Sequence, residues 1–70
     1  MAEVTNTDRA GWAQVAVDAF QDETKTDDEC VLQDILTDLR HWSDSMGYDW
    51  DITLGNAMGM YETEKKEDKP

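Results

Sequence analysis

Apolar residues recur along the chain at helical spacing, in three blocks separated by polar stretches. In the first block, Trp12, Val15, Ala16, Ala19 and Phe20 fall at i, i+3, i+4, i+7 and i+8. That spacing lines one face of an amphipathic helix. Thr7 stands where an N-cap is needed, and Asp8 follows in the first turn, where the helix dipole favours an acid. Residues 22–26 are polar and predict a connection. Thr26 and Glu29 then match a capping box, in which the hydroxyl and the carboxylate each satisfy a backbone N–H left over at a helix start. A second stripe follows in Val31, Leu32, Ile35, Leu36, Leu39, Trp42 and Met46. Gly47 comes directly after it, as a left-handed C-cap requires.

Residues 48–51 predict a second connection, with Asp49 or Asp51 capping a third helix. The stripe of that helix is Leu54, Ala57, Met58 and Tyr61, with Ile52 near its start. Gly55 and Gly59 each cost roughly 1 kcal/mol against Ala in a helix interior, so this is the weakest element. Their spacing clears side chains from one helix face, which predicts close packing inside the bundle, with a groove for a partner as the alternative. The pattern as a whole predicts an all-α fold, a small three-helix bundle with short connections. Its organisation is a disordered arm over residues 1–6, an acidic helical domain over residues 7–64 and a frayed tail over residues 65–70. The expected core is Trp12, Val15, Ala16, Phe20, Leu32, Ile35, Leu36, Leu39, Trp42, Leu54, Met58 and Tyr61.

Length and composition narrow the setting. At 70 residues there is room for one domain, and one this small buries only about 60% of the surface its unfolded chain exposes. Three tryptophans argue against pure disorder, because disordered acidic segments are poor in aromatics. Cys30 is the only cysteine, so neither an internal disulfide nor a Cys-based zinc site can be built. A lone thiol suits a reducing, cytoplasmic compartment. No apolar run approaches the ~20 residues of a membrane span, and the first residues lack the basic-then-apolar pattern of a secretory signal.

Charge changes the picture most. The chain has 17 acids and 6 bases, for a net charge of −11. From Ala10 to Glu64, Lys25 and Arg40 are the only bases against thirteen acids. Such a domain repels nucleic acid and anionic membranes and attracts basic protein surfaces. Asp18 and Asp22 lie one helical turn apart, Asp27, Asp34 and Asp38 form a second row continued by His41, and Asp44, Asp49 and Asp51 gather at the junction of the second and third helices. Carboxylates one turn apart are separated by about 5–6 Å, and duplex DNA carries a phosphate per ~3.4 Å of each strand. An acid row on a helix therefore loosely imitates a phosphate row. Like charges at i,i+4 also weaken a helix, so their retention points either to a basic partner or to solubility and adaptation to salt. The candidate partner-binding residues are Asp18, Asp22, Asp34, Asp38, Asp44, Asp49, Asp51 and Trp50. Trp50 has two readings, an interface anchor or a cap on the end of the core.

The chemistry-bearing residues do not assemble a reaction. His41, the only histidine, shares a helix face with Asp34, Asp38 and Ser45. A catalytic serine needs a strained, exposed turn, and these residues all lie along one solvated helix, so no enzyme is expected. Asp34, Asp38 and His41 are the nearest approach to a metal site. Asp49 and Asp51 lack the central glycine and terminal glutamate of a calcium loop. Asp44-Ser45-Met46 is similar to the Asp-Ser-Leu of acyl-carrier proteins, but that serine starts a helix and Ser45 precedes a helix stop. No cofactor is expected. Cys30 faces opposing influences, since a helix N-terminus lowers a thiol pKa and Asp27, Asp28 and Glu29 raise it.

The run Leu32-Gln-Asp34-Ile-Leu36-Thr-Asp38-Leu39-Arg-His41-Trp42, followed by Gly47-Tyr-Asp49 and then by Leu54, Ala57 and Tyr61-Glu62, resembles small proteins of phages, plasmids and other mobile elements. Arg9-Ala10-Gly-Trp12-Ala13 fits the same pattern, so the resemblance spans about residues 9–64. It implies a non-catalytic inhibitor of the anti-CRISPR or anti-restriction type in the cytoplasm of a bacterial or archaeal host. The implied partner is a basic, nucleic-acid-binding defence protein, with no direct nucleic-acid or membrane contact. The inhibitor itself would be a monomer or small homo-oligomer. The alternative is a small acidic helical adaptor or oligomeric interaction protein. The resemblance implies no site residues.

Overall fold

A computed structural model describes residues 3–67. The fold is all-α, with three helices: α1 (Asn6–Thr24), α2 (Val31–Met46) and α3 (Trp50–Glu67). Residues 1–2 of the expected arm and 68–70 of the expected tail lie outside the described residues.

Each helix end has a local cause. The N-cap of α1 is Thr5 and not Thr7: the Thr5 hydroxyl accepts from the Asp8 N–H at 3.1 Å, and the Asp8 carboxylate accepts from the Thr5 N–H at 3.0 Å. Asp8, expected only to favour the dipole, thus closes a reciprocal capping box. At the other end Lys25 takes a left-handed conformation (φ 62°), and its N–H reaches the Gln21 carbonyl at 2.8 Å. The capping box expected from Thr26 and Glu29 does not form. The Thr26 hydroxyl donates to the Asp34 carboxylate instead. The Asp27 carboxylate takes the Cys30 N–H at 3.0 Å. This holds residues 28–30 as a turn and delays α2 to Val31. Gly47 ends α2 as expected, with φ 76°. Its N–H donates to Asp44 and the Tyr48 N–H donates to Ser43, the paired bonds of a Schellman motif. Asp49 caps α3, its carboxylate accepting from the Ile52 N–H at 3.0 Å. The helix runs past Glu64, where the sequence pattern ended it.

The helices meet over short stretches. Ala16 and Phe20 of α1 face Ile35, Asp38 and Leu39 of α2 around one shallow cleft. Leu39, Trp42 and Ser43 of α2 meet Trp50 and Thr53 of α3, with Tyr48 between them. The last turns of α3 return to the first turns of α1: Asn6 donates to the Glu64 carbonyl at 3.1 Å, and Arg9 pairs with the Glu64 carboxylate at 3.3 Å. Each helix thus touches both of the others, at three corners of the fold, and Leu39 takes part in two of them.

This arrangement overturns the expected core. Among the described residues no apolar side chain is buried, and Ser43 is the one buried residue. Trp12, Val15, Leu32, Leu36, Leu39, Trp42, Leu54, Met58 and Tyr61 are all exposed, Val15 by 69%. Ala16 is exposed as well, while Phe20 and Ile35 are half-buried at the α1–α2 corner. The reason is geometric: a stripe is covered only where a neighbour crosses it, and here each crossing is confined to a corner. Trp12 and Val15 lie along α1 between its two corners, as Leu54 and Met58 do along α3. Close packing at Gly55 and Gly59 is likewise not found, since a Cβ at either would meet nothing within 4 Å.

Candidate functional site

The acids expected to contact a partner divide by what their carboxylates already do. Asp18 accepts from the Gln14 side chain at 2.8 Å. Asp34 is half-buried and bound by the Thr26 hydroxyl. Asp44 pairs with Arg40, one turn earlier, at 3.8 Å. Asp49 is spent on the α3 cap. Asp22, Asp38 and Asp51 have no hydrogen-bond or ion-pair partner among the described residues, and all three are exposed. They sit on α1, α2 and α3 respectively, so each helix contributes one of the unengaged candidates. Asp38 lies beside the α1–α2 cleft, where an acid borders the apolar Phe20, Ile35 and Leu39.

Trp50 is half-buried in the α2–α3 corner, and the Arg40 guanidinium lies over its ring, 5.8 Å from the centroid. Trp42 and Tyr48 meet edge to face nearby, with centroids 5.5 Å apart and planes at 63°. Offset and edge-on aromatic pairs of this kind add to simple area burial. Arg40 thus serves both Asp44 and Trp50, which leaves Lys25 as the base between Ala10 and Glu64 without an acid partner among the described residues.

Asp34, Asp38 and His41 do not converge as ligands, and no group of three His, Cys, Asp or Glu side chains among the described residues is placed to hold a metal ion. The Cys30 thiol is exposed, and its pKa is raised. The largest cause is a hydrogen bond to the Asp27 carboxylate, followed by the negative charge of Asp27 and a lesser effect from Asp34. The opposing influences read from sequence therefore settle on the side of the acids. No helix among the described residues is long and apolar enough to cross a membrane.

Sequence reasoning missed the extent of the uncovered apolar surface. Its signal was present in Met60, which lies off the main stripe of α3 and is exposed. A helix with apolar residues on more than one side needs cover on more than one side. No family model, curated protein or solved structure matches the chain.

Proposed function

We propose that this chain is a non-catalytic binding protein, an inhibitor that sets an acidic surface against the basic groove of a nucleic-acid-targeting defence protein. The observation that carries this reading is the outward disposition of the charge. Of the thirteen acids between Ala10 and Glu64, Asp34 and Glu64 are half-buried and the rest are exposed. The two opposing bases do not neutralise them. A surface of this sign raises the local concentration of a basic partner and speeds encounter.

The test is capture from host lysate with the full chain as bait, followed by displacement of duplex DNA from whatever basic protein is enriched. The informative variant reverses Asp22, Asp38 and Asp51 to Lys, because these carboxylates hold nothing inside the fold. Displacement by the native chain, lost in the triple variant with its helical circular-dichroism signal intact, supports the inhibitor. Capture of only abundant basic proteins such as ribosomal ones, or full displacement by the triple variant, overturns it.

A second reading, a small helical adaptor or oligomer whose charge serves solubility or salt adaptation, draws on a different observation. The exposed apolar side chains are too many for a domain that works alone.

A further inference from the structure

The single chain exposes 6074 Å² of surface. A folded monomer of 8.0 kDa is expected to expose only about 4500 Å². The Cα radius of gyration is 14.1 Å, against about 11 Å for a compact domain of this length. Both comparisons agree with the absence of a buried apolar side chain among the described residues. The excess is roughly 1600 Å² per chain, or roughly 3200 Å² for two, which falls inside the range of obligate homodimer interfaces.

We propose that the missing core is supplied by a second copy of this chain, in a two-fold homodimer. The uncovered stretches favour this occupant. Trp12 and Val15 on α1 and Leu54 and Met58 on α3 are two separate apolar patches on one molecule. A two-fold axis lets each α1 patch cover the α3 patch of the other copy, so both are buried by one reciprocal contact. Leu32 and Leu36 on α2 are exposed as well. A basic partner would answer the acids but leave these apolar side chains without a matching face. The inference does not rest on the proposed inhibitor function.

The cost of pairing two chains of −11 is repulsion, which salt screens over about 8 Å at physiological strength. The dimer therefore tightens as salt rises, the reverse of electrostatic capture of a basic protein.

The test is the mass of the purified full chain by sedimentation, read across a dilution series at low and high salt. Twice the 8.0 kDa chain mass is expected, with tryptophan emission shifting red on dilution as Trp12 is uncovered. Val15→Asp should weaken association at least roughly 30-fold, as loss of an interface hot spot does, while Asp22→Asn leaves it intact or stronger. A chain that sediments at 8.0 kDa at every concentration and salt overturns the proposal, and so does a discrete assembly larger than two. The native chain alone decides between these outcomes, so a variant that fails to fold does not blunt the test.

Discussion

The Arg9 guanidinium lies 3.3 Å from the Glu64 carboxylate and ties the first turns of α1 to the last turns of α3. Both side chains are about one-third exposed, so water and salt weaken the attraction. Glu64→Gln should cost about 0.5 kcal/mol, the scale of partly exposed ion pairs. The Asn6 bond to the Glu64 carbonyl survives that substitution. Urea titrations at one fixed protein concentration should show the loss at low salt and nearly none at about 1 M, where screening is almost complete.

Two helix ends make the same demand on the backbone and meet it with different residues. Gly47 and Lys25 both occupy the left-handed region, at φ 76° and φ 62°. Gly47→Ala should destabilise by about 1 kcal/mol, and Lys25→Gly should stabilise by a similar amount, because the penalty there belongs to the Cβ. Nothing lies within 4 Å of a Cβ at position 47, so the cost is conformational and not a clash. Thermal melts of both variants check the signs.

Asp49 was a candidate contact residue, yet its carboxylate holds the start of α3. Asp49→Ala should cost about 1 kcal/mol, as loss of an N-cap does, whereas Asp51→Ala should be close to neutral for stability. Circular dichroism with urea separates the two. A loss of binding in an Asp49 variant would then report on the fold, and only Asp51 would speak for direct contact.

The raised Cys30 pKa has a direct chemical readout. With the Asp27 carboxylate beside the thiol, less thiolate exists at neutral pH than in a free cysteine. Alkylation by iodoacetamide should be slower than that of a model thiol, and should climb only as pH rises above the ordinary range for cysteine. Asp27→Asn removes the main cause and should speed alkylation near pH 8. An unchanged rate would argue against Asp27 as the cause.

The helices themselves were legible, and α2 most of all, because its apolar positions keep one face and Gly47 marks its end. The starts of α1 and α2 were not. Thr5 and Thr7 are chemically equivalent caps, and the choice fell to Asp8 three residues beyond Thr5. Thr26 and Glu29 had the right spacing, but the Asp27 carboxylate and the Asp34 carboxylate drew the local donors away. The core was misread for a deeper reason. Periodicity says which side of a helix is apolar, and it is silent on how far a neighbour travels along that side. Among the acids, the Arg40–Asp44 pair one turn apart and the Asp49 cap could be read from local spacing. The Thr26–Asp34 bond bridges a connection of unknown path and could not.

Few of the native interactions reach far along the chain. The backbone hydrogen bonds of α1, α2 and α3 run inside each helix, and the caps at Thr5, Lys25, Gly47 and Asp49 join near neighbours in sequence. Interactions this local lose little loop-closure entropy as they form, so the chain should fold at the fast rates of small helical domains. The Asn6 and Arg9 bonds to Glu64 join opposite ends of the described chain and should close last.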